Sequence, residues 1–556
     1  MRRFLTLGGV VLVVVAGMLV NSPADTADPS PDSSVYFPKL GAMHYPITTA
    51  AASAQPWFDQ GLTFYFGFNH EAAILSFTRM LKEDPACAMA YWGLGISAGP
   101  HINNPVMDEV ASKAAYEATT EAMKHRDSGT AKEKALIEAL ATRYAWPAPE
   151  DRAPLDSAYA DAMGTVWAAY PDDPTVGALY AEALMDLRPW DLWTSDGEPQ
   201  PGALQVVDVL ERVLELDPNQ PGANHFYIHA MEASPHFAKA LPAANRLRTL
   251  VPGAGHLVHM PGHIDLRLGH YADAIRANQA ATAVDEAYVA ETGRGGGFYS
   301  IYRAHNYHFL AYAAMFDGQK ALALSAADDL VHAIPMEVVL ALADYLDAFI
   351  SVPIHVMVRF GMWDELLQIP VPVEGLYGTQ AFRHYGRTVA YAAKGDVANA
   401  ETEYAALVAA LPEIPETRLW GNNTMADIGE IGRLMAEGEL AYRKGEHDKA
   451  FALLREAVER DEALRYDEPW GWMQPVSHAL GALLLEQGGL DEALAVYRRD
   501  LELHPNNGWA LQGLAEAQER RGQTAEAAKT RAKFQESWAR SDITIKASCY
   551  CRTAAE

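Results

Sequence analysis

Cysteine is almost missing from this chain: 556 residues carry three, Cys87, Cys549 and Cys551. A scaffold built on disulfides is therefore excluded. Positive charge is also scarce. There are 44 Lys and Arg against 72 Asp and Glu, a net charge of -28. Such a surface repels phosphate backbones, which excludes nucleic acid as a partner. Strand signals are nearly absent, and beyond Val20 no apolar run is long enough to span a membrane. The HExxH pattern of zinc peptidases is missing, as are a Walker loop and a nucleophile motif. "GRGGGFYS" at Gly293 has glycines but no preceding strand and no phosphate-binding Lys, so it reads as a flexible loop between helices.

What is present begins with MRRFLTLGGVVLVVVAGMLVNSPADTADPSPDSS. Two arginines, an apolar run to Val20 and small residues after it read as an export signal over 1–24. Cleavage near Ala24 or Ala27 leaves a periplasmic or secreted protein; without cleavage the segment anchors it to the membrane. No cysteine follows the run, so a lipid anchor on Cys is excluded. Residues 25–52, rich in Pro, Ser, Asp and Ala, read as a disordered linker. The end of the chain, 541–556, is a tail with a C-x-C pair at Cys549 and Cys551. Exported thiols must be oxidised, ligated or hidden, so the pair is either incidental or a metal or redox pair.

From Gln55 onward apolar residues recur at spacings of three and four, the period of a helix. "GHYADA" at Gly269, "GDVANA" at Gly395, "GEHDKA" at Gly445 and "GQTAEA" at Gly522 each place Ala five residues after Gly. Gly488 and Gly522 lie 34 apart. The pattern resembles the tetratricopeptide repeat: two antiparallel helices, a turn Gly, a small Ala where the helices touch, and Pro at the end. It implies an all-α protein, an α-solenoid of helical hairpins coiled into a right-handed superhelix. The chain divides into an N-terminal helical region (53–200), His-rich repeats (201–335) and C-terminal repeats (336–540). The period breaks at 102–200 and 276–300. In this repeat the second, fifth and ninth residues of each first helix line the concave face.

Histidine is unevenly spread on that frame. With each turn Gly set as residue fifteen, His256, His259 and His263 occupy positions two, five and nine. His225 and His229 occupy five and nine of the repeat before, and His305, His308 and Tyr312 occupy two, five and nine of the repeat after. His355 and His478 add two more, so nine of 19 histidines fall where about two would by chance. His236, His270 and His447 fall at turns and read as structural; His70 and His504 sit at repeat edges. Imidazoles from neighbouring helices can converge, and a cluster of neutral imidazoles is suited to a transition metal. The expected ligands are His225, His229, His256, His259, His263, His305 and His308. Glu232 and Asp265 are expected to orient imidazoles, and His384 is a possible extra ligand. All-imidazole ligation suits copper first, with zinc or iron as alternatives, and Met260 also favours copper. Tyr227, Tyr302 and Tyr312 are candidate proton or electron relays.

The stretches FGFNHEAAILSFTRMLKEDPACAMAYWGLGISAGPHIN, HFYIHAMEASP, PGAGHLVHMPGHIDLRLGHYADAI and YRAHNYHFLAYAAMFDGQ resemble a family of exported bacterial tetratricopeptide-repeat proteins of largely unassigned function. The resemblance implies the fold and export, and it implies no reaction. In that family Asn is more usual where this chain has His101. Two functions follow from the residues. One is a metal-dependent oxidoreductase or metal-handling protein. The other is a non-catalytic scaffold whose groove takes a peptide, a protein partner or a small molecule. Trp470 and Trp472, in "YDEPWGWMQP", belong to a loop that either closes one end of that groove or packs between repeats.

Overall fold

The computed structural model describes Phe37 and residues 39–553. The expected export signal and most of the linker lie outside the described residues. The architecture is the expected one: antiparallel helical hairpins stacked in chain order, with, among the described residues, one two-residue strand pair, Leu419–Trp420 against Asn423–Thr424. No described helix is long and apolar enough to cross a membrane.

The hairpins form for local reasons. At Gly269 the backbone turns left-handed, with φ +70°, and a side chain there would meet the Pro505 carbonyl. Only glycine takes that conformation without strain. The same left-handed turn recurs at Gly318, Gly395, Gly445, Gly488 and Gly522. Within each hairpin small residues let the helices approach. Phe77 wedges between Gly61 and Gly93, where a Cβ would stand 2.7 and 2.5 Å from its ring.

Three first helices carry the histidines: Pro221–Glu232, the run Gly255–His259 with Pro261–Arg267, and Tyr299–Phe316. Each is backed by its second helix, Leu241–Leu250, Tyr271–Thr292 and Lys320–Ala333. The expected break at 276–300 is a second helix longer than the repeat allows, followed by the glycine loop.

The coil does not leave an open concave groove. It closes until Tyr271 donates to the Pro505 carbonyl at 3.0 Å. The helix Gln55–Phe66 packs onto Pro221–Glu232 from one side, and the loop carrying Glu468 enters from the other. Part of the expected linker, within 39–52, is tied to the repeats at particular residues. Leu40 and Tyr45 are buried, Thr48 donates twice to Glu133, and Thr49 donates to Asp84 at 2.7 Å. The tail is held too. Asp542 caps the helix Lys320–Ala333 through Lys320 N and Ala321 N, and Cys549 and Cys551 are joined as a disulfide.

Candidate metal centre

Six imidazoles meet inside the closed coil. His225, His229 and His256 form one triad, and His259, His263 and His305 the other; within each, one nitrogen per ring lies within 4.8 Å of the others. His225 Nε2 stands 3.1 Å from His256 Nε2. His259 Nε2 is 2.6 Å from His263 Nε2 and 3.1 Å from His305 Nε2. The triads are neighbours, with ring centroids 5.5 Å apart for His229 and His263 and 5.8 Å for His256 and His259.

The far side of four of the six rings explains why their Nε2 atoms point inward, whereas His256 Nδ1 is buried without a partner. His225 Nδ1 donates to the Phe66 carbonyl at 2.7 Å. His229 Nδ1 donates to Glu232 Oε1 at 2.9 Å, and His263 Nδ1 to Glu232 Oε2 at 2.6 Å. His259 Nδ1 donates to Asn278 Oδ1 at 2.7 Å, and Asn278 is fixed by its own donation to the Ala274 carbonyl. With Nδ1 carrying the proton, Nε2 carries a lone pair, the tautomer a metal needs. Glu232 ties the two triads together with one oxygen for each. These contacts depend on small residues: a Cβ at Gly222 would lie 2.3 Å from the Phe66 ring, and one at Gly262 3.0 Å from Asn278 Nδ2.

Burial sets the charge. It holds His225, His229, His256, His259 and His305 well below the ordinary imidazole range, helped by the neighbouring rings. His263 differs. Burial alone would lower it, but the carboxylates of Glu468 and Glu232 push it up to about 10. Two phenyl rings roof the centre. Phe68 lies over the first triad, 4.5 Å from His225 and 5.6 Å from His256. Phe309 lies over the second, 4.8 Å from His259 and 5.2 Å from His263. Phe68 adopts φ +55°, an uncommon conformation outside glycine that tends to persist at functional sites.

The structure separates the sequence candidates. Tyr302 belongs to the centre, its ring 4.6 Å from His256. Tyr227 does not: its hydroxyl donates to Glu211 at 2.6 Å on the other face of its helix. Tyr312 packs on Phe316, in the electrostatic reach of Asp461, Asp500 and Arg359. His308 points out of the centre toward Phe349 and Trp420. His355 sits among Phe382, Trp420 and Trp472, and His478 pairs with Asp500. His384 bonds Glu403 and Gln380 and is structural. Asp265 orients no imidazole of the centre; it holds Arg248 through both oxygens and lies 4.0 Å from His270 Nδ1. His101 is buried behind Phe68, 4.4 Å from its ring.

Three contributors escaped the sequence reading. Glu468, from the aromatic loop, touches His263 Nδ1. Asn278 and the Phe66 carbonyl orient rings from distant elements. Only Glu468 left a trace, as an acid in a loop already suspected of closing the groove.

The fold and site together define a helical-repeat protein with a buried six-histidine centre. No family model matches the chain, and no curated protein matches it. Among solved structures, the human IFIT1 dimer with m7Gppp-AAAA is similar at 11% identity, over 88% of this chain and 96% of that one, with a TM-score of 0.33. The APC/C hetero-tetramer Cut9-Hcn1 is similar at 13% identity, over 90% and 76%, with a TM-score of 0.29.

Proposed function

We propose that this protein holds a pair of transition-metal ions, one on His225, His229 and His256 and the other on His259, His263 and His305. The carrying observation is that four Nδ1 atoms are spent on oxygen acceptors while the Nε2 atoms converge. Three nitrogen ligands leave each ion an open position, the mark of a reactive rather than a closed structural site. A nitrogen-only set without thiolate suits copper first, then zinc or iron. Bound there, the metal would supply redox or Lewis-acid chemistry. The chain's own groups hold the rings, exclude water through Phe68 and Phe309, and place Tyr302 beside one triad. This supports an exported metal-dependent oxidoreductase or a metal-handling protein.

Access favours small molecules over a peptide. Most of the centre is fully buried, so an extended segment cannot reach it. Beside His229 and Glu232 lies a cavity of about 20 Å³, walled by Trp190, Trp193, Leu192 and Met185. It takes about one water-sized molecule. A hollow of about 840 Å³ lies elsewhere, around Tyr45, Lys132 and Asp173.

Elemental analysis of untagged protein is the test. Two metal ions per chain are expected, falling to none when all six histidines become Ala. Metal-free protein after reconstitution with copper, zinc and iron in turn would end this reading in favour of the scaffold.

A further inference from the structure

A second group of buried polar side chains borders the centre. Arg143 is fully buried on the helix side of the N-terminal repeats. Its Nη2 contacts Asp186 and the Pro100 carbonyl and lies 3.7 Å from Glu182. Glu182 and Asp186 are one helical turn apart, both inside the protein, with one guanidinium between two carboxyls. From this trio a line of side chains leads toward the histidines. Tyr65 lies in the field of Glu182 and Arg143 and stacks on His70 at 5.1 Å; His70 stands 4.4 Å from His101.

The atoms along that line are not satisfied by one another. Among the described residues, Arg143 Nε and Nη1, Tyr65 OH, His70 Nε2 and His101 Nδ1 are buried without a hydrogen-bond partner. Each such atom costs about 1–3 kcal/mol if left dry, so together they would consume a typical domain's whole stability. The seam must therefore hold small polar molecules. A metal cation is opposed by the guanidinium and an anion by the two carboxyls. Water suits both, because it donates and accepts.

We propose that Glu182, Asp186 and Arg143, with Tyr65, His70 and His101, form a hydrated proton relay ending beside the histidine centre. The proposal rests on the metal reading for its purpose, since chemistry at a buried centre needs protons brought to it. Nothing is oxidised or reduced along the path. The proton shared by the carboxyl pair passes to a water. The Tyr65 hydroxyl, His70 and His101 each take one proton and release another, His101 to water in the cavity beside His229, and the pair is reloaded along the same line. Ile102, next to His101, borders the cavity against His229, so seam and cavity adjoin. The groups facing Asp186 are Glu182, Arg143 and, further off, Asp156; burial and Glu182 together raise it well above the carboxylate range. Tyr144 and Tyr159 face Arg143.

Infrared spectroscopy of the metal-free full chain on transfer to D2O tests the relay. At neutral pH a buried protonated-carboxyl band is expected, absent from both Glu182→Gln and Asp186→Asn. Its deuterium shift should slow by about tenfold or more in His70→Phe, and in the same direction in Tyr65→Phe, which keeps the ring. Circular dichroism establishes that each variant is folded. A missing band in the wild type, or an unchanged shift rate in both folded path variants, overturns the relay. Metal content is read separately: these variants keep it at the wild-type level, and a wild type that binds no metal sinks the metal reading alone while the deuterium shift still decides the path.

Discussion

Glu232 is the residue on which the two triads depend in common. Its two oxygens receive protons from His229 and His263, fixing the tautomer of one ring in each triad. Such partners of ligating imidazoles are worth about 10–100-fold in metal affinity. Glu232→Gln keeps the shape but replaces one acceptor with a donor, which must then face an N–H. Competition titration with a chelator should show both ions weakened within that range; unchanged affinity would mean the rings are oriented by packing alone. Asp285, not itself a proposed ligand, offers a pH test. It accepts from Tyr299 at 2.6 Å and Asn306 at 2.7 Å, and burial outweighs these bonds to raise it to about 6. An acid raised in the folded state binds a proton that the unfolded chain has lost above about pH 4, so stability falls as pH rises from about 4 to about 6. The shift corresponds to roughly 3 kcal/mol. Urea unfolding at pH 4 and pH 7 should show wild type losing about that much relative to Asp285→Asn; parallel behaviour of the two would refute the raised acid.

At the scale of elements, the site is a consequence of close helix approach. Gly222 brings Phe66 against the helix Pro221–Glu232, and only then does the Phe66 carbonyl meet His225 Nδ1. Gly222→Ala pushes a methyl into the ring, an overpacking cost of about 1–3 kcal/mol. Because the contact belongs to the first triad alone, metal content should drop from two ions per chain toward one, with a lower Tm. Two ions retained at unchanged Tm would detach the helix contact from the centre. This is also where the sequence was most and least legible. Turn glycines and the Gly-to-Ala spacing set the repeat phase, and that phase put His225, His229, His256, His259, His263 and His305 on one side of three consecutive helices. The same phase included His308 wrongly, since position five faces the centre on one helix and a neighbouring aromatic cluster on the next. Asn278, on a second helix, could not be read, because nothing in a repeat pattern marks which second-helix residue reaches over a glycine.

At the scale of the whole molecule, the difference between a groove and a buried centre is one of closure. Repeat periodicity describes how each hairpin meets the next and is silent about contacts 200 or more residues apart, so the open concave face was a fair expectation. The closing contact sets Gly269 against Pro505, with Tyr271 bonded to the same carbonyl and Asn506 reaching back to the turn. Gly269→Val attacks it twice. A branched side chain is strained at φ +70°, and its Cβ would fall 2.0 Å from the Pro505 oxygen. The turn between Pro261–Arg267 and Tyr271–Thr292 must then move away from the C-terminal repeats, opening the coil next to His259 and His263. Several kcal/mol of stability are expected to go, roughly 2–5 by the sum of backbone strain and clash. Hydrogen exchange should quicken first in 255–267 rather than in the far repeats. Metal should leave faster to a chelator from the opened coil, even where the equilibrium content of the folded protein is unchanged. If exchange in 255–267 and the rate of metal loss both match wild type, closure does not guard the centre, and the burial of the six histidines is the work of the local hairpins alone.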